Sequence, residues 1–191
     1  MGVDAPAVEA KTMNIPNLLS ISRILAVPIF VLLMLEPTPL RAFLAGIVFA
    51  LASITDWLDG YLARKWEQVT KIGKLLDPIA DKLLIASALI MLVQVDSSRV
   101  PAWAVIIIVG REFAVTGLRA MAASDGIVIP AESLGKYKVG AQITAVLSFV
   151  THLAFGQPWM SMLGVAALWA ALLLAIWSGA QYFMNYWKNL G

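Results

Sequence analysis

The sequence predicts an all-α, polytopic membrane protein with six transmembrane helices around a polar cavity that faces the cytoplasm. Composition carries the first part of that reading: 60% of residues are hydrophobic and 14% charged, whereas an average soluble domain is roughly a quarter charged. A bilayer is therefore the expected solvent. Spacing carries the second part, because the apolar residues gather into six stretches near 15–35, 40–63, 76–95, 100–121, 138–156 and 160–186, each close to the roughly 20 residues that cross a hydrocarbon core. No polar or low-complexity stretch separates two cores, so residues 13–191 read as one transmembrane domain.

Residues 1–12 are polar and mixed. They lack the basic flank, apolar run and small-residue cleavage site of a signal peptide, and a disordered N-terminal extension is expected there. The first segment opens at Asn14-Ile15-Pro16-Asn17, with asparagine suited to a helix cap and proline to a first turn. Asn17, Ser20 and Arg23 then follow at i, i+3 and i+6 as a polar stripe. That stripe reads either as a snorkelling helix end or as a binding surface. Glu36-Pro37-Thr38-Pro39 separates the first two segments, Asp96-Ser97-Ser98-Arg99 the third and fourth, and Gly156-Gln157-Pro158 the last two. Longer polar stretches at 64–75 and 122–137 make the remaining connections.

Orientation follows from the basic residues. With both termini on one side, the first, third and fifth connections carry only Arg41 and Arg99, and the other twelve of the fourteen Lys and Arg fall on the opposite side. By the positive-inside rule the termini and the 64–75 and 122–137 connections are cytoplasmic. Trp103, Trp159, Trp177, Tyr182, Tyr186 and Trp187 lie near segment ends, where interfacial aromatic rings are expected. The net charge of +2, with no basic stripe, argues against a nucleic-acid partner. With no cysteine present, disulfides and thiolate metal sites are excluded, and a metal ion must be held by oxygen or by the single His152. His152 lies near the outer end of segment five, far from the acidic residues, and reads as an interfacial polar residue.

The densest chemistry lies where segment two meets segment three. Asp56 and Asp59 are three apart, and Asp77 and Asp81 four apart, so on helices each pair projects from one face. Four carboxylates repel one another and are expensive at membrane depth unless paired, metal-bound or facing a wet cavity. A hard divalent cation is the simplest partner. Gly60 lies one turn beyond Asp56 and Gly73 one turn before Asp77, and Ala63 continues the small surface, leaving room for a bulky ligand to approach. Arg64 suits phosphate oxygens, and Thr70 is placed to offer a hydroxyl.

Written as spacing, the run is Asp-x2-Asp-Gly-x2-Ala-Arg-x8-Gly-x3-Asp-x3-Asp, eight fixed residues over 26 positions. It resembles the signature of the CDP-alcohol phosphatidyltransferase family, with every motif position filled. The resemblance implies an enzyme that cleaves the diphosphate of CDP-diacylglycerol with an acceptor hydroxyl and releases CMP. It implies that Asp56, Asp59 and Asp77 ligate Mg²⁺ or Mn²⁺, with two ions expected. Asp81 would be the general base that also approaches a metal, while Gly60, Ala63, Arg64, Thr70 and Gly73 would line the CDP-lipid site, with Asn17 and Arg23 beside the nucleotide. It further implies a homodimer in a bacterial cytoplasmic membrane, embedded in membrane lipid.

The signature leaves the acceptor open. Arg111, Glu112 and Arg119 lie toward the inner end of segment four, and Lys136 and Lys138 open segment five. Arg111, Arg119 and Lys136 around one cavity would bind a second phosphate, and Glu112 would pair with or orient an arginine; the alternative is a set of positive-inside anchors. Asn-Ile-Pro-Asn, Gly-Arg-Glu, Gly-Leu-Arg and Gly-Lys resemble the family members whose acceptor is sn-glycerol 3-phosphate. Inositol phosphate, serine and phosphatidylglycerol are the alternative acceptors, and an intramembrane prenyltransferase or a cation carrier are the alternative classes.

Overall fold

A computed structural model describes residues 15–66, 71–124 and 134–188, with side chains described over 18–55, 79–122 and 135–187. The expected extension at 1–12 lies outside those residues, as do the centres of the two long connections. Among the described residues there are six α-helices and no strand: α1 Ile15–Met34, α2 Pro39–Trp66, α3 Lys71–Val95, α4 Ala102–Ser124, α5 Leu134–Phe155 and α6 Pro158–Lys188.

The six helices match the six apolar segments in order, and the differences are confined to their ends. α2 runs on to Trp66, α3 begins at Lys71, α4 continues to Ser124 and α5 begins at Leu134. Hydropathy marks where apolar residues stop, but Ala, Arg, Lys and Leu sustain a helix well beyond that point. The short connections are capped as their residues dictate. Thr38 is the N-cap of α2, its Oγ1 accepting the Arg41 amide at 3.3 Å, and Pro39 supplies the first turn. α5 ends at Gly156, whose φ of 68° places it in the left-handed region, where glycine carries no steric penalty. There His152 Nδ1–H donates to the Gln157 carbonyl at 2.9 Å.

α1 packs on α2 and α3, α2 also on α5, α5 on α6, and α6 on α4. The core runs through the centre of this arrangement, with Phe30 and Phe49 in ring contact at 5.8 Å and Leu89, Leu92, Ile108, Val146, Phe149 and Leu168 buried around them. Alanines 42, 45, 52, 88, 145, 171 and 175 are buried at the seams, where small residues let helices approach closely. Gly164 lies beneath Phe149, and a Cβ there would stand 2.9 Å from the ring.

Outside, the pattern of a soluble protein is inverted. Leu25, Leu32, Leu51, Ile90, Ile106, Met162 and Leu173 are all exposed, and exposed apolar surface of this kind marks a membrane or partner contact. Among the described residues, Gly135–Phe155 and Pro158–Trp187 are long and apolar enough to cross a bilayer, and Leu18–Met34 and Pro39–Thr55 are shorter apolar helices. Trp103, Trp159, Trp177 and Trp187 are exposed, as interfacial rings would be. Tyr182 departs from that expectation, being only 6% exposed.

Candidate active site

Among the described residues the α4 and α5 backbones nowhere approach within 8 Å, Cα to Cα, although both neighbour α3 and α6. The wedge between them is a cavity of about 510 Å³. α3 contributes Asp81 and Lys82 to its wall, α4 contributes Arg111, Glu112, Thr116 and Arg119, α5 contributes Lys136 and Lys138, and α6 contributes Tyr182. A much smaller cavity of about 20 Å³ adjoins it, shares Asp81, Lys82 and Glu112, and reaches Gln142 on α5.

Glu112 organises the α4 side. Its Oε1 pairs with the Lys138 ammonium and lies 3.5 Å from Arg111 Nη1. Lys138 is buried, with 4% of its side chain exposed, so the pair bridges the wedge from α5 to α4 largely out of water. Removing a charge from water is tolerated only with such a partner. Arg111 continues the network to α6, donating from Nη2 to Ser178 Oγ at 2.9 Å. Arg119, two turns further along α4, donates from Nη2 to the Tyr182 hydroxyl at 2.9 Å. The Tyr182 ring lies against both guanidinium groups, 5.7 Å from Arg111 Cζ and 5.1 Å from Arg119 Cζ, within the range of cation–π attraction. Thr116 Oγ1 bonds back to the Glu112 carbonyl on its own helix.

The structure thus brings five of the residues singled out from the sequence into the lining of one cavity: Asp81, Arg111, Glu112, Arg119 and Lys136. Glu112 pairs with an arginine as expected, and Lys138 is its closer partner. Arg23 is fully buried on α1, the helix that packs on α2 and α3. α2 is helical through Asp56, Asp59, Gly60, Ala63 and Arg64, and α3 through Gly73, Asp77 and Asp81, so the anticipated i, i+3 and i, i+4 registers hold along the backbone. The side chains of Asn17, Asp56, Asp59, Ala63, Arg64 and Asp77, and Thr70 as a whole, lie outside the described residues. Among those described, no three His, Cys, Asp or Glu side chains converge.

Sequence reasoning missed the site roles of Lys82, Lys138, Ser178 and Tyr182. A signal existed for Lys138, a second lysine two residues after Lys136 at the start of an apolar helix. For Ser178 and Tyr182 there was none, since a serine and a tyrosine near the end of an apolar helix look like ordinary packing and interface residues.

A helical protein with an apolar exterior, a polar wedge holding a carboxylate opposite several cations, and an aspartate-bearing helix pair at the same end defines a class that handles phosphorylated substrates at a membrane. The CDP-alcohol phosphatidyltransferase family model matches residues 13–177, and the chain belongs to that family. Its curated relatives are similar over nearly their whole length. The chain is 44% identical over 189 residues to a Bacillus subtilis protein, covering 93% of this chain and 97% of the relative. It is 41% identical over 173 residues to one from Rickettsia bellii, covering 89% and 93%, and 40% identical over 181 residues to one from Pseudomonas fluorescens, covering 93% and 92%. All three bear the name CDP-diacylglycerol--glycerol-3-phosphate 3-phosphatidyltransferase.

Proposed function

We propose that this protein transfers the phosphatidyl group of CDP-diacylglycerol to sn-glycerol 3-phosphate, producing phosphatidylglycerophosphate and CMP for phospholipid biosynthesis. The observation that carries this reading is the one cavity lined by both Asp81 and the cations Arg111, Arg119 and Lys136. An acceptor held by its phosphate on those cations brings its free hydroxyl toward the carboxylate. Serine, which carries no phosphate, would leave all three cations unused.

In this reading Asp81 takes the proton from the acceptor hydroxyl as its oxygen attacks the phosphorus attached to diacylglycerol. The new P–O bond forms as the bond to CMP breaks, and a base of this kind contributes typically about 10²- to 10⁴-fold. Arg111 and Arg119 present forked donors suited to phosphate oxygens, and Lys136 adds a point charge. Glu112, paired with Lys138, also faces Arg111 Nη1 at 3.5 Å.

Asp56, Asp59, Asp77 and Asp81 are the residues that would hold divalent ions. The donor chemistry fits: the carboxylates occur on two helices that pack together, and the chain has no cysteine and one histidine, at the far end of α5. An all-oxygen set suits Mg²⁺ or Mn²⁺. When bound, two such ions supply charge neutralisation for the diphosphate and the departing CMP. Gly60, Ala63, Arg64, Thr70 and Gly73, with Asn17 and Arg23 from α1, complete the proposed CDP-lipid site.

All six helices span the cytoplasmic membrane in this reading, residues 13–191 form one transmembrane domain, and the working unit is a homodimer. The charge distribution supports the orientation. Arg41 is satisfied by Glu36 and Arg99 by Asp96 at one end of the bundle, whereas the cations of the wedge gather at the other. The test is purified protein incubated with CDP-diacylglycerol and, separately, glycerol 3-phosphate, inositol phosphate, serine and phosphatidylglycerol, with CMP release followed in each. Release with glycerol 3-phosphate is expected; its absence there overturns the assignment.

A further inference from the structure

We propose that Ser178, Gly179 and Tyr182 on α6 are positioning residues that set the protein's grip on the acceptor phosphate by fixing Arg111 and Arg119. This rests on the functional reading above and extends it to a helix that the family's aspartate signature does not touch.

Each of the three acts in a different way. Ser178 is fully buried, and its own hydrogen is committed to the Leu174 carbonyl one turn back. Its oxygen therefore faces Arg111 only as an acceptor, at 2.9 Å from Nη2. Tyr182, one turn beyond Ser178 on the same face, accepts from Arg119 Nη2 at 2.9 Å and lays its ring against both guanidinium groups. Gly179 lets the arginine stem pass: a Cβ at that position would stand 3.0 Å from Arg111 Cγ and 3.6 Å from Nε. One α6 face thus holds one arginine by its tip and its stem, and the other by its tip and its plane.

The arrangement matters because arginine is long and loses much rotamer freedom when it binds. The two guanidinium groups also carry like charge on one helix, two turns apart. The Tyr182 ring attracts both, and each hydroxyl takes only one Nη2, so the other donors of Arg119 stay available to phosphate, while Arg111 also turns Nη1 toward Glu112 at 3.5 Å. A grip assembled before the ligand arrives binds more tightly than one ordered on contact. The ligand class that such a grip takes is a phosphate monoester.

The test uses the purified full-length protein with Tyr182→Phe, Ser178→Ala and Gly179→Ala. Phenylalanine retains the ring and its packing on Val115 and Leu118, and alanine suits a helix better than glycine, so none of the three removes an arginine or a core contact. The expected result is that KM for glycerol 3-phosphate and the inhibition constant of inorganic phosphate both rise about 5- to 10-fold, with a smaller change in kcat and no change in KM for CDP-diacylglycerol. Parent values for both acceptor constants, or equal rises in the KM of both substrates, would overturn the positioning role while leaving the functional reading intact. A parent protein that releases no CMP with glycerol 3-phosphate would instead sink the functional reading, and this inference with it.

Discussion

The Lys138 ammonium on α5 and the Glu112 carboxylate on α4 form an ion pair that joins two helices whose described Cα atoms never come within 8 Å of each other. Breaking a buried pair from one side strands the other charge, at a cost of about 3–5 kcal/mol, whereas replacing both with apolar residues of similar volume is often neutral. Glu112→Gln is therefore expected to lower unfolding stability by roughly that amount, and Glu112→Leu with Lys138→Met to recover most of it. Unfolding in mixed detergent micelles measures both. A double variant as unstable as the single one would assign the loss to the missing bridge rather than to a stranded charge.

Asp81→Asn keeps the size of the side chain and removes its capacity to take a proton. CMP release is expected to fall by about 10²- to 10⁴-fold, with CDP-diacylglycerol binding retained. Transfer near the parent rate would take Asp81 out of the base role.

Removing divalent ions with a chelator is expected to abolish CMP release, and Mg²⁺ or Mn²⁺ to restore it. In Asp56→Asn or Asp77→Asn protein the same ions should restore far less. Full activity in the chelated protein would contradict the assignment of the aspartates.

Gly164→Ala places a methyl group 2.9 Å from the Phe149 ring at the α5–α6 seam, and overpacking of this kind costs typically about 1–3 kcal/mol. Gly140→Ala meets open space on the same helix pair and is expected to be neutral or stabilising by up to about 1 kcal/mol. Thermal unfolding separates the two; equal melting temperatures would mean that the seam relaxes around the methyl group.

The α3–α4 connection carries a pH dependence. Burial pushes the Asp96 carboxyl up, but hydrogen bonds from the Ser98 hydroxyl and from the Arg99 guanidinium and amide, together with the Arg99 charge, outweigh it and hold the group below its usual value. A carboxyl lowered by folding adds stability that is fully present above its unfolded value of about 3.9 and is lost as pH falls through the folded one. Asp96→Asn is thus expected to melt below the parent at pH 6 to 7, and the gap to close below about pH 4. A gap independent of pH would assign the effect to the shape of the turn rather than to its charge.

How much of this was readable in advance divides along a physical line. Helix existence and order followed from apolar run length, and the placement of Arg111, Glu112 and Arg119 together followed from spacing on one helix, because both are local properties of the chain. The pairing of Lys138 with Glu112 was not readable, since periodicity records which way a side chain points on its own helix and not which helix stands opposite. Tyr182 was read as an interfacial ring because it lies near the end of an apolar segment. Its burial comes from α6 packing on α4, a relation between residues more than 60 positions apart. Gly179 looked like any small residue in an apolar helix until the arginine stem beside it was seen.

α6 is 31 residues long, about 46 Å at 1.5 Å per residue, while a typical hydrocarbon core is about 30 Å thick. When such a helix crosses a bilayer, it must tilt or overhang, and Tyr182 lies toward its C-terminal end. Membrane thickness sets how far that end stands clear of the acyl region. On the proposed reading, the tyrosine bonded to Arg119 is mounted on a lever whose fulcrum is the surrounding lipid, and the length of the host membrane's acyl chains becomes a physical input to acceptor capture.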